Sequence, residues 1–238
     1  MKYRSVLLLL VLLYRYPAFT QGQSNDTGND YLKLYKTITD EYGFDQVLVN
    51  GIFYEDEYRN KTGHQFFMAD RFYKGSLTFR GKEYKGIEMK YDIYDNQLIL
   101  NVKNNISAAW VVPPNDFITN FSLDGKFFSE YNLRGEKRFY QVVFDSGNLK
   151  CLCSWQKKMH ESYDNNSIIY EFFKSEKKYY LVLNDSLLTY RNNRSFLGII
   201  PEESRAPVRR YIKGKHIKVN KSDDKIISDL FVYFNSLL

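Results

Sequence analysis

Between Gly75 and Val102 the sequence specifies three antiparallel strands in twenty-eight residues, and few folds accommodate such a stretch. Ile87, Met89, Tyr91 and Ile93 alternate with Glu88, Lys90, Asp92 and Tyr94, the period-two pattern of a half-buried strand. Asp95-Asn96 is a turn dipeptide, because both residues tolerate left-handed backbone angles. Leu98, Leu100 and Val102 resume the alternation beyond it. Upstream, Leu77 and Phe79 lead into Arg80-Gly81-Lys82, and Tyr84 begins the return. A hairpin chain of this kind needs further strands to bury its apolar face.

The rest of the chain supplies them. Val47 to Tyr54 reads as a first strand, Arg59 to Gly63 as a polar loop, and Ser107 to Val112 as a strand stopped by Pro113-Pro114. Phe117 to Leu123 and Phe127 to Tyr131 flank Asp124-Gly125, and Phe139 to Phe144 and Leu149 to Trp155 flank Ser146-Gly147-Asn148. Ile168 to Phe173, Tyr179 to Leu183 and Leu187 to Tyr190 close the series. With 21 Tyr and 18 Phe, the composition favours the same structure, since aromatic rings pair across strands. No strand–helix–strand rhythm is visible, which argues against a parallel sheet. The expected fold is mainly β: an antiparallel meander forming a curved open sheet or partial barrel.

Helices are expected at both ends. Tyr31, Leu34, Tyr35 and Ile38 recur at helical spacing before Gly43. After Asn192 the pattern changes to two short helices, Ser195 to Ile200 and Glu202 to Lys213, and an extended His216 to Val219. A last helix follows from Asp223, with Ser222 as its cap and Asp223 and Asp224 at its positive end. Ile226, Ile227, Leu230, Phe231 and Phe234 form its apolar stripe, expected to dock on the sheet.

The N-terminus has the form of a secretory signal over residues 1–20. Lys2 and Arg4 precede the apolar run Val6 to Leu13, and Pro17 precedes Ala18-Phe19-Thr20. That run is too short to span a bilayer, and no later segment is long enough. Residues 21–30 form a polar leader, and 31–238 form one β-rich domain. The charge is uneven: removing the signal lowers it from +6 to +3, while residues 191–238 carry ten Lys or Arg against five acids.

The order Asn50-Gly51, Tyr54, Gly63-His64 with Phe66-Phe67, Gly75-Ser76, Lys90-Tyr91-Asp92 and Gln97-Leu98 resembles an exported β-rich protein family of Bacteroidetes-type bacteria. The tail, from Arg194-Ser195-Phe196-Leu197 through Tyr211-Ile212 to Tyr233-Phe234-Asn235-Ser236-Leu237, resembles the same family. The resemblance implies an envelope setting, periplasmic or at the outer membrane, and brings no catalytic residues with it.

Candidate chemistry is sparse. Cys151 and Cys153 share one face of a strand, about 6.6 Å apart, whereas a disulfide brings Cβ atoms to about 3.5–4.5 Å. They read as structural thiols, with a bulged or intermolecular disulfide and a metal site as rivals. His64, His160 and His216 are scattered, which leaves no metal or other cofactor to assign. His64 is the histidine to test as a general base, although no nucleophile motif accompanies it. Glu55 and Glu57 share a face if extended, as glycosidase or calcium-site carboxylates do, or as any solvated strand end does. Eight Asn-x-Ser/Thr sequons, from Asn25 to Asn220, follow from an Asn-rich composition.

Arg205, Arg209, Arg210, Lys213 and Lys215 make a basic binding face for anionic lipid or polysaccharide. Export disfavours nucleic acid. The expected function is that of a non-enzymatic envelope interaction or scaffold module. The alternative is a carrier holding a lipid or other apolar ligand in a curved sheet, and a secreted hydrolase comes third.

Overall fold

The computed structural model describes residues 48, 51–103, 108–133, 135–164 and 167–238. The signal segment, the leader and the helix expected after Tyr31 lie outside the described residues. Among the described residues the fold is mainly β, with fourteen strands followed by three helices. The strands are β1 (Ile52–Phe53), β2 (Lys61–Thr62), β3 (Tyr73–Phe79), β4 (Lys82–Asp92), β5 (Gln97–Lys103), β6 (Ala108–Val112) and β7 (Ile118–Leu123). They continue as β8 (Lys126–Leu133), β9 (Glu136–Asp145), β10 (Leu149–Gln156), β11 (Met159–Asp164), β12 (Ser167–Phe172), β13 (Glu176–Leu183) and β14 (Ser186–Thr189). The helices are α1 (Asn193–Ile199), α2 (Glu202–Gly214) and α3 (Asp224–Asn235).

Eleven strands form one antiparallel sheet in the order β1-β6-β5-β4-β3-β7-β8-β9-β10-β13-β14, open at both edges. Tight hairpin turns set its register. Arg80-Gly81, Asp124-Gly125 and Asn184-Asp185 hold both central residues at positive φ, which matches the twist of the strands they join. The meander breaks between β6 and β7, and again where β11 and β12 leave between β10 and β13. After β6, Pro113-Pro114 and a 3-10 turn at Asn115–Phe117 carry the chain back to pair β7 with β3. At the β3–β7 seam Gly75 of β3 lies opposite Leu123 of β7, and an added Cβ would lie 1.8 Å from the carbonyl oxygen of Ser122. Gly75→Ala is therefore expected to cost about 2 kcal/mol, measured as a lower urea midpoint with an unchanged slope.

The sheet curls strongly. The Tyr91 ring on β4 lies 5.4 Å from Phe128 on β8 and 6.1 Å from Phe139 on β9. In a flat sheet strands three and four places apart would be roughly 14–19 Å away. The β4–β5 turn clasps β9 from the other side, because the Asn96 carboxamide oxygen accepts from the Tyr91 hydroxyl (2.9 Å) and the Phe139 N–H (3.3 Å). Side chains thus join the two arms of the curl where the backbone does not. Its interior is a core of Leu77, Phe79, Phe121, Phe128 and their neighbours.

A second core lies under β9, β10 and β13, where α1, α2 and α3 cover Leu149, Cys151, Cys153 and Leu181. Trp155 borders both cores and donates its indole N–H to Gln141 Oε1 at 2.8 Å. Both cysteines are free and buried, and burial pushes the Cys153 thiol up to about 12.

Several expectations need correction. Of the strand expected from Val47 to Tyr54 only Ile52–Phe53 is extended and paired among the described residues, and Leu48 is helical. The loop from Arg59 to Gly63 contains β2, which pairs in parallel with β12, and β11 completes a separate three-stranded sheet. His216 to Val219 is a turn and forms no strand. Asp223 occupies the N-cap of α3, while the Ser222 hydroxyl accepts from the Lys218 N–H in the preceding turn. Ile226 is 40% exposed and falls outside the buried stripe.

Candidate functional site

The basic face is built on the last helices. Arg209, Arg210 and Lys213 are exposed on α2, and Lys215 is exposed just beyond it. Arg205 leaves this face, because its guanidinium turns back to donate to the carbonyls of Ile200 (3.1 Å) and Gly198 (3.4 Å). It thereby satisfies the end of α1, where Pro201 stops the chain from continuing the helix. Cations from elsewhere join the face instead. Arg194 on α1 meets Arg209 and Lys213 across a groove of about 390 Å³ floored by Leu197 and Ile212. Lys218 and Lys221 meet Arg194 across an adjoining groove of about 500 Å³, with Asn192, Asn193 and Asn220 between them.

Asn193 fixes this arrangement. Its carboxamide donates to the Ile217 carbonyl (2.7 Å) and accepts from the Val219 N–H (3.0 Å), pinning the 216–222 turn against α1. None of Arg194, Arg209, Lys213, Lys218 and Lys221 forms an ion pair with a described residue, and all five are exposed. Helical spacing can reveal Arg209 and Lys213 as neighbours. Only the tertiary fold adds Arg194, Lys218 and Lys221.

A second polar region lies where residues 54–70 fold over the end of β4. Lys61 donates to Asp56 (2.5 Å) and to Gln65 (3.1 Å), and Gln65 in turn donates to the Tyr54 hydroxyl (2.9 Å). Lys90, 7% exposed, pairs with Asp70 at 2.5 Å among the rings of Phe66, Phe72 and Trp110. The strand alternation placed Lys90 and Asp92 towards solvent, but the 54–70 segment covers that face and buries both.

His64 stands in this region as a structural pin. Its Nδ1 accepts from the Phe66 N–H (3.2 Å) and faces Lys157 Nζ (3.2 Å), and Lys157 also donates to the His64 carbonyl. A backbone N–H can only donate, so the neutral ring carries its proton on Nε2. Burial, then the Lys157 charge, holds the imidazole below its usual range. Its one basic nitrogen already faces two donors, which leaves His64 poorly placed as a general base.

Glu55 and Glu57 are exposed, and between them Asp56 turns away to Lys61. Both glutamates line a cleft of about 190 Å³ with Tyr54, Tyr58, Asp92, Asp95 and Gln97. Tyr58 donates its hydroxyl to Asp95 Oδ2 at 3.2 Å. Asp92 is wholly buried, and its Oδ1 accepts from the N–H groups of Tyr94 (2.9 Å) and Asp95 (3.0 Å). Among the described residues no donor meets its Oδ2 in hydrogen-bond geometry, although the Gln97 side chain lies near enough to the carboxyl to favour its anion. Burial, reinforced by the Asp95 charge, raises the Asp92 carboxyl to about 7.

Among the described residues no three His, Cys, Asp or Glu side chains converge as metal ligands, and no helix is long and apolar enough to cross a membrane. Comparison with protein-family models, with curated proteins and with solved structures finds no match to this chain.

Proposed function

We propose that the chain is an exported, non-enzymatic protein of the cell envelope, an interaction module that holds an acidic polysaccharide on the basic grooves between α1, α2 and the 216–222 turn. The observation that carries this reading is the convergence of five exposed cations from three chain segments with no described acid paired to them. Like charges gathered this way raise the local concentration of anions, and paired carboxylates would have cancelled the field. Asn192, Asn193 and Asn220 add amides between the cations, the donors and acceptors that sugar hydroxyls use. The signal-like N-terminus and the family resemblance support the export setting. Phe67, Tyr91, Phe121, Phe128 and Phe139 occupy the interior of the curl, which weighs for a surface role over an acyl-chain carrier.

The test is retention on immobilised polygalacturonate under a salt gradient. The double variant Arg209→Glu, Lys213→Glu is expected to elute at clearly lower salt than the wild-type protein, because exposed charges are screened within a Debye length of about 8–10 Å. Equal retention of the two proteins would sink the proposal. Retention on anionic vesicles with none on the polysaccharide would reassign the face to lipid.

A further inference from the structure

We infer that the cleft around Asp92 is a second binding site, independent of the basic grooves, and that it takes a primary alkylammonium group. Asp92 Oδ2 is fully buried and accepts from no described residue, and Asp92 is one of the residues that line the cleft. An orphaned buried acceptor costs about 1–3 kcal/mol, and native folds keep few of them. The carboxyl does not need Oδ2 for its structural role, since Oδ1 alone accepts both N–H groups of the β4–β5 turn. Oδ2 is therefore available to a donor arriving through the cleft.

The lining decides which donor. Glu55, Glu57 and Asp95 add three carboxyls, and among the described residues no Lys or Arg lines the cleft. An anion is thus repelled, and a cation is drawn in. The Tyr58 ring, edge-on to Tyr94 at 5.9 Å and to Phe172 at 5.0 Å, is held rigidly as one wall, and Tyr54 forms another. Rings presented beside carboxylates suit an organic cation. A volume of about 190 Å³ admits a slim alkyl chain carrying an ammonium group. Three N–H donors can then reach Asp92 Oδ2, the Asp95 carboxylate and one of the two glutamates at the mouth.

The charges facing Asp92 fix the proton balance. Asp95 on the β4–β5 turn repels its anion, Tyr54 stands on the 54–58 segment, and the Lys157 charge beyond β10 attracts it. Arg138 on β9 acts on the neighbouring Tyr91. With its carboxyl raised to about 7, Asp92 is partly protonated at neutral pH, so an ammonium group that enters displaces protons to solvent.

Isothermal titration of the full chain with putrescine at pH 7, in two buffers of different ionisation enthalpy, tests this directly. The wild-type protein is expected to bind and to release protons. Asp92→Asn keeps an Oδ1 acceptor for the two turn N–H groups, and its melting temperature monitors the fold. This variant is expected to bind at least about tenfold more weakly, equivalent to about 1.4 kcal/mol, with no proton released. Tetramethylammonium, which has no N–H donor, is expected to bind as poorly to the wild-type protein. No binding of putrescine at millimolar concentration, equal affinity in the folded Asn variant, or equal affinity for tetramethylammonium would each overturn the inference. The Arg209→Glu, Lys213→Glu protein should bind putrescine normally, which separates this result from the fate of the basic-groove reading.

Discussion

Deletion of residues 222–238 is expected to abolish the cooperative unfolding of the protein and leave an aggregating sheet. The segment is α3, and its Ile227, Leu230, Phe231 and Phe234 have no exposed surface. Phe231 lies 6.0 Å from Phe144 on β9 and 5.8 Å from Phe196 on α1, so the helix fills the space between sheet and helices. Burying each such side chain is worth roughly 1.5–3 kcal/mol, or about 6–12 kcal/mol for four. A whole domain retains only about 5–15 kcal/mol of net stability. Deletion would also expose Leu149, Cys151, Cys153 and Leu181 along the face the helix covers. The milder Leu230→Ala should lower stability by about 2–5 kcal/mol through the cavity it leaves. Thermal unfolding followed by circular dichroism decides the matter. A truncated protein with an unchanged midpoint would mean that α3 is a detachable arm.

That helix was legible in the sequence because its apolar spacing and its burial coincide. The same holds for β3 to β5, β7 to β10, β13 and β14, where alternation and turn dipeptides agree about the register. Legibility fails where the covering element is remote. Lys90 and Asp92 occupy the polar phase of β4, yet a segment some twenty residues upstream lies over them. No local pattern records that cover, so the most unusual carboxyl in the molecule read as a solvated one. β11 was invisible for the opposite reason: nearly every residue from Met159 to Asp164 is exposed, which leaves no apolar phase to detect. Its small sheet is held by backbone pairing with β12, and β2 joins β12 through two residues. The basic face was half legible. Helix spacing found Arg209 and Lys213, but it retained Arg205, whose half-buried guanidinium is spent on backbone carbonyls of α1.

Asp224→Ala is expected to cost about 3 kcal/mol, because one carboxylate at the start of α3 ties three strands to that helix. Its Oδ2 accepts from Lys126 on β8 and from Gln141 on β9 (2.9 Å). Its Oδ1 accepts from Lys177 (3.0 Å) and Tyr179 (3.4 Å) on β13. Gln141 is 3% exposed and is committed through its other end to Trp155, so it has nowhere else to donate. Removing one partner from a buried charged network costs about 3–5 kcal/mol. The lower end applies because both lysine side chains keep more than a quarter of their surface. Burial alone would raise the Asp224 carboxyl; hydrogen bonds from Gln141, Lys126 and Lys177 overcome that and hold it at about 2. A depressed carboxyl stabilises the fold above its unfolded value of 3.8 and loses that contribution as pH falls towards 2. Asp224→Asn keeps the outline but removes the charge and turns one accepting oxygen into a donor, as protonation also does, so its deficit against wild type should be constant from pH 5 to 7. Below pH 4 the deficit should shrink, approaching zero near pH 2, as the wild-type carboxylate takes up its proton. Urea unfolding of both proteins at pH 7, 4 and 3 measures it. A deficit that stays the same at pH 3 would show that the carboxamide loses shape or hydrogen bonding, and that the charge at residue 224 contributes nothing.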